Sequence, residues 1–241
     1  MRFIDLSCDL GEASSADEDL VESRLWPLIT SANVACGGHT GDISTMQRAV
    51  ERAHTCSVAL GAHPSYPDRV HFGRQRISIS ESALIDSLVE QMSALATVAR
   101  EMGLSVAHIK PHGALYNDAH HDRGLAESIV AAVTRFDRRV AIVCSPASAV
   151  FEASKEAGVA TIAEAFADRR YQPDGSLVPR GEPDELILDP REAARQALSL
   201  ALVASTICIH SDMTRSVERL EAIRETLATA GFGFRSCGGR S

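Results

Sequence analysis

The 241-residue chain is 45% hydrophobic and 23% charged, enough apolar material for a sizeable core at the upper end of a single domain. Its net charge of −8 comes without a dense lysine or arginine cluster, which argues against nucleic acid and anionic membranes as partners. Apolar stretches such as "VAAVTRFDRRVAIVC" are broken by charge well short of a bilayer span, and "MRFIDLSCD" at the start enters a strand pattern directly, so a soluble, cytoplasmic protein without a signal peptide is expected.

Short runs rich in Val, Ile, Ala and Leu alternate with segments whose apolar residues recur at helical spacing. The pattern predicts strands at 3–9, 28–34, 58–62, 104–110, 139–144, 159–164 and 205–209. Between and after them it predicts helices at 17–25, 43–56, 80–102, 122–135, 147–157, 190–203 and 214–230. Asp42, Ser80, Asp189 before Pro190, and Thr214 are the start signals, each able to cap free backbone N–H groups. Repeated β-then-α units imply a parallel sheet covered by helices, closed as a β/α barrel. The expectation is one domain over residues 1–235 and a disordered tail at 236–241. The cysteines, Cys8, Cys36, Cys56, Cys144, Cys208 and Cys237, lack CxxC spacing and read as reduced thiols.

Barrels of this kind place their chemistry where strands end and βα loops begin. Strand one ends at Asp9, followed by Gly11 and Glu12. Asp9 at the mouth can bind a metal, a histidine or a substrate N–H, or merely cap its loop; Glu12 reads as a solvated loop residue unless it turns inward. The second strand passes Asn33 into "CGGHTGD", where His39 sits among glycines with no apolar packing role. The third and fourth end in His63 before Pro64 and in Lys110-Pro111-His112. Histidines on adjacent strand ends beside a carboxylate can act as general acid and base or hold a divalent cation. No HExxH signal fixes a zinc geometry, so direct acid/base work is favoured; a metal, if bound, is assigned to Asp9, His39 and His63. His120 and His121 read as surface residues at a helix start.

Lys110 closes an apolar strand, where an ammonium is costly without an anion. A substrate carboxylate or a phosphate is the favoured anion, with an internal pair to Asp9 or Glu164 as the alternative. Residues 166–180 form a long connection of the kind that serves as a lid, offering Asp168, Arg170 and Arg180, besides Arg169, to a substrate. No GxxxxGK[ST] loop is present, so a nucleotide would be bound in another way.

Taken together, "DLSCDLGEA", "TSANVACGGHTGD", "GAHPSYPD" with the following "FGR", "HIKPHGALYND", "FADRRYQPDGSLVPR" and "ICIHSD" resemble the LamB/YcsF family, over residues 4 to about 230. The resemblance implies a seven-stranded β/α barrel of the glycoside hydrolase/deacetylase type. It also implies an ATP-dependent 5-oxoprolinase activity, opening 5-oxo-L-proline to L-glutamate, with this chain as the A component beside subunits B and C. ATP is then a co-substrate of the complex. On this reading Asp9, His39, His63, Lys110 and His112 are catalytic, and Glu12, Asn33, Glu164, Asp168, Arg170 and Arg180 bind substrate. The chain departs from the family pattern in reading "HSD" for "HGD" and in placing Gly38 where an aromatic residue is usual. Two other readings compete: a metal-dependent amide or N-acetyl hydrolase of the deacetylase type, and a non-catalytic barrel that delivers a ligand to partners.

Overall fold

A computed structural model describes residues 1–212 and 214–238. The elements run β1 (Arg2–Leu10), α1 (Ala16–Leu25), β2 (Ser31–Ala35), α2 (Ile43–Cys56), β3 (Ala59–His63), α3 (Glu81–Glu101), β4 (His108–Ile109), α4 (Gly113–His121) and α5 (Arg123–Asp137). They continue with β5 (Ala141–Cys144), α6 (Ala149–Ala157), β6 (Thr161–Phe166), α7 (Pro190–Leu200), β7 (Thr206–His210), α8 (Ser216–Thr229) and β8 (Phe232–Phe234). Strands β1 to β7 pair in parallel in chain order, and β1 closes the ring by pairing with both β2 and β7. The closed seven-stranded β/α barrel expected from the alternating pattern is therefore what the chain forms. Strand β8 adds to the outer, N-terminal part of β1, at Arg2–Ile4, where β7 has not yet begun to pair.

The period-two alternation of strands gives this barrel two unlike faces. Along β1, Ile4, Leu6, Cys8 and Leu10 are buried in the apolar layer against the helices. Asp5, Ser7 and Asp9 alternate with them and point into the barrel, where Ser31 donates to Asp5 (2.8 Å) and Thr206 to Ser7 (3.0 Å). The barrel is narrow enough that side-chain size is set across it. A Cβ on Gly61 would lie 2.1 Å from Nε2 of His108, so glycine on β3 is what lets an imidazole fill the next strand's interior position.

Most start signals hold. Asp42 caps α2 in a reciprocal box with Thr45, Ser80 accepts from the Ala83 amide, and Asp189 accepts from Glu192 with Pro190 in the first turn. Thr214 is not a cap: α8 begins at Ser216 after Arg215, whose backbone is left-handed (φ 59°), and the Thr214 carbonyl accepts from Arg219 (2.8 Å). Two elements differ from expectation altogether. Residues 113–121, where the pattern predicts no element, form α4, because the left-handed Gly113 (φ +57°) turns the chain out of β4 and the Ala114 amide bonds to the Gly73 carbonyl (2.9 Å). His120 and His121 thus end a helix rather than start one, and His120 is buried. The short β8 was not anticipated, since three residues carry too little periodicity. Of the expected tail, Cys237 donates to the Ser205 carbonyl (3.1 Å); residues 239–241 lie outside the described residues. Among the described residues no helix is long and apolar enough to cross a membrane, and all six cysteines are free, four of them buried.

Candidate active site

The polar strand ends converge on the barrel axis. Asp9 on β1 accepts from Asn33 on β2 (Oδ1, 2.8 Å) and from the Lys110 ammonium (2.8 and 3.1 Å to its two oxygens). Asn33 in turn is bonded through its carbonyl oxygen to His108 (2.8 Å). Lys110 also meets Glu164 on β6 (3.0 Å) and the thiol of Cys208 on β7 (3.0 Å), and its Nζ stands 4.9 Å from the centre of the Phe166 ring. It is 2% exposed, so these contacts decide its charge. Burial opposes its ionisation, but Asp9, Cys208 and Glu164 outweigh that and hold it protonated, well above its ordinary pKa.

Burial likewise raises the Asp9 carboxyl, and the charges of His63 and Lys110 override it, leaving Asp9 well below the usual carboxylate range. Glu164 comes out the other way: burial pushes it up, Lys110 pulls it down, and the Asp9 charge pushes it up again, for a net rise. One ammonium is thus shared by two carboxylates whose environments drive their protonation apart, a common arrangement where one must stay ionised and the other can carry a proton. The anion that Lys110 requires is therefore internal. This corrects the expectation that a substrate carboxylate or phosphate satisfies it.

At the rim, Nδ1–H of His63 donates to the Lys110 carbonyl (2.7 Å), which leaves Nε2 facing Asp9 (3.4 Å) and Nδ1 of His112 (3.0 Å). His112 donates from Nε2 to the Phe72 carbonyl (3.0 Å) and stacks on His39, ring centres 3.6 Å apart and 3° from parallel. A Cβ on the left-handed Gly73 would come within 2.9 Å of the His39 Cβ, so this glycine lets the 72–74 loop close over both rings. Burial lowers the pKa of His39, and burial with the neighbouring His39 and His63 lowers that of His112 well below its ordinary value.

Glu12 is not the solvated loop residue read from the sequence. Glu22 on α1 accepts the Gly11, Glu12 and Ala13 amides (2.9–3.0 Å), and the loop so fixed turns Glu12 inward onto His39 (2.9 Å) and toward His112 (3.5 Å). The metal-ligand set differs from the expected one for the same reason. Among the described residues, the atoms close enough to share an ion belong to Glu12, His63 and His112, within 4.8 Å of one another. Asp9 is occupied by Lys110 and Asn33, and His39 by Glu12.

The expected substrate-binding residues divide. Glu12 and Arg180 line a cleft at the mouth together with Asp9, His63, Lys110, His112 and His210. Asn33 is buried between Asp9 and His108, and Glu164 is buried against Lys110. Asp168 is fully buried and accepts the His210 amide (2.7 Å); burial would raise its pKa, but the His210 charge and hydrogen bonds lower it. Arg170 reaches Glu192 on α7 (2.9 Å) and does not line the cleft. The 166–180 segment is ordered by antiparallel bridges, Arg169 to Leu186 and Tyr171 to Leu177. Sequence reasoning missed His108 and Cys208, although each lies two residues from another inward-facing position, and it missed Arg74, which lines the cleft and pairs with Asp212 (2.6 Å). Ser211, the departure from "HGD", donates to the Asp9 carbonyl (2.7 Å) and ties β7 to β1 at the rim.

The LamB/YcsF family profile matches residues 4–240. The 5-oxoprolinase A subunit of Chloroflexus aggregans is 40% identical over 250 residues, covering 98% of this chain and 99% of that one. The protein of the same name from Neisseria meningitidis serogroup B is 40% identical over 245 residues, covering 96% and 98%. Among solved structures, the lactam utilization protein of Thermus thermophilus superposes with a TM-score of 0.88 at 37% identity, over 98% of this chain and 99% of that one. The catalytic domain of a peptidoglycan N-acetylglucosamine deacetylase from Eubacterium rectale shares the fold at a TM-score of 0.55 and 13% identity, over 99% and 90%. Matched along nearly its whole length by profile, relatives and structure, the chain belongs to the LamB/YcsF family.

Proposed function

We propose that this chain is the A component of a cytoplasmic, ATP-dependent 5-oxoprolinase, opening 5-oxo-L-proline to L-glutamate together with subunits B and C. The observation that carries the reading is an ionised Asp9 beside the free Nε2 of His63 at an open cleft, in a chain aligned end to end with proteins of that name. Amide resonance and the five-membered ring make a lactam resistant to water. Transfer of a phosphoryl group from ATP to the lactam oxygen would make the ring carbon electrophilic. Water then adds there, the C–N bond opens with the nitrogen gaining a proton to leave a γ-glutamyl phosphate, and a second water displaces phosphate from it to give glutamate.

In this scheme His63 Nε2, backed by Asp9, accepts the proton of the attacking water. Lys110 keeps Asp9 ionised and in place, and Glu164, which burial inclines toward its acid form, is the proton reservoir behind it. Arg180 is exposed on the cleft wall and makes no ion pair among the described residues, which suits it to the substrate carboxylate. Asn33 and Asp168 position Asp9 and His210 rather than touch substrate. The test is reconstitution: the purified chain with its cognate B and C subunits should form glutamate and ADP from 5-oxo-L-proline and ATP, and the chain alone should form neither. ATP-independent turnover by the isolated chain would overturn the proposal.

A further inference from the structure

The rim of the cleft holds three acceptors that face one another with no donor between them. A backbone carbonyl can only accept, so the bond from His63 Nδ1 to the Lys110 carbonyl (2.7 Å) puts the ring proton on Nδ1 and a lone pair on Nε2. The bond from His112 Nε2 to the Phe72 carbonyl (3.0 Å) does the converse, leaving a lone pair on Nδ1. These two lone pairs face each other at 3.0 Å, and Oε1 of Glu12 stands 3.5 Å from the second of them. Neutral rings in these tautomers repel across such a gap, so the arrangement calls for positive charge among the three atoms.

We propose that Glu12, His63 and His112 bind one divalent transition-metal ion at the cleft rim. Ligand atoms about 2.0–2.1 Å from a cation lie about 2.9–3.4 Å apart at octahedral or tetrahedral angles. The His63–His112 and His112–Glu12 spacings, 3.0 and 3.5 Å, are of that size, and the three ligand atoms lie within 4.8 Å of one another. Each ligand is also held from behind: His63 by the Lys110 carbonyl, His112 by the Phe72 carbonyl, and Glu12 by Nε2–H of His39 (2.9 Å). Outer partners of that kind fix ring orientation and tautomer in metal sites. Two imidazoles and one carboxylate suit zinc, manganese or cobalt better than magnesium or calcium, which prefer oxygen throughout. With three protein ligands and the cleft beside them, further positions stay open to water or substrate. The ion would use the same Nε2 lone pair of His63 that accepts the water proton in the lactam-opening reading, so the two roles are alternatives for that atom. Because binding is measured without ATP, 5-oxoproline or partner subunits, failure of the site and failure of that reading stay distinguishable.

The test is titration of chelator-treated, full-length protein with zinc and, separately, with magnesium, by calorimetry, followed by X-ray absorption on the zinc-loaded wild type. One zinc per chain, magnesium binding at least a hundredfold weaker, and two imidazole ligands in the absorption spectrum are expected. Glu12→Gln and His112→Gln should each weaken zinc at least tenfold, and His39→Gln, which only orients Glu12, by less than either. No zinc uptake would mean that a shared proton joins the two rings and would overturn the proposal. So would stoichiometric uptake unaffected by both substitutions. Should either variant misfold, the absorption spectrum of the wild type still decides, since fewer than two imidazoles refutes the site.

Discussion

Nζ of Lys110 lies 2.8 Å from Oδ1 of Asp9 and 3.0 Å from Glu164, an ammonium shared by two carboxylates inside the barrel. Removing it leaves one or two buried carboxylates without their counter-charge. Lys110→Met should therefore cost about 3–5 kcal/mol of stability, read from denaturant melts. The double variant with Glu164→Gln should recover part of that loss. A single variant as stable as wild type would mean that the pair contributes nothing, as expected had the partner of Lys110 been an external anion.

Gly61 faces His108 across β3 and β4 with no room for a methyl group. Gly61→Ala should displace the imidazole and break its bond to Asn33, which orients Asp9. Overpacking of this kind costs about 1–3 kcal/mol. Denaturant melts should show a loss in that range, with activity of the reconstituted complex falling further than stability alone explains; a melt unchanged from wild type would show that the ring has space to move.

Asp5 lies toward the N-terminal ends of the barrel strands, 3% exposed, and burial pushes its carboxyl from 3.8 up to about 6 against hydrogen bonds from Thr30 and Ser31. Its folded pKa is above the unfolded one, so the folded state holds the proton more tightly. The associated stability is fully present below about pH 4 and is lost as pH rises through 6. Asp5→Asn stays neutral throughout. Relative to wild type, the variant should therefore gain on the order of 3 kcal/mol between pH 4 and pH 7. Paired melts across that interval check the slope, and a difference that stays constant with pH would show that Asp5 does not titrate there.

The sequence made some of this site legible and not the rest. Asp9, His63, Lys110 and His112 were readable because each is a polar residue closing an apolar strand, and strand ends of a parallel barrel share one face. The sequence favours an external anion for Lys110 over its internal partners, because Asp9, Lys110 and Glu164 are brought together only by barrel closure between β1, β4 and β6. The inward turn of Glu12, which the sequence leaves conditional, depends on Glu22, ten residues away, capturing the Gly11, Glu12 and Ala13 amides. Arg170 was misjudged because the antiparallel bridges of the 166–180 segment choose which arginine faces the cleft, and spacing alone does not reveal that choice.

The most direct measurement is ATP-dependent glutamate formation from 5-oxo-L-proline by complexes of subunits B and C with either the wild-type chain or Asp9→Asn. Assembly is checked by gel filtration and folding by a melt. The Asn side chain fills the same space but supplies no charge to His63, so the assembled variant complex should lose on the order of a hundredfold or more in rate, the scale of a lost general-base function. Glutamate formation within threefold of wild type by a correctly assembled Asp9→Asn complex would contradict the placement of lactam opening at this barrel mouth.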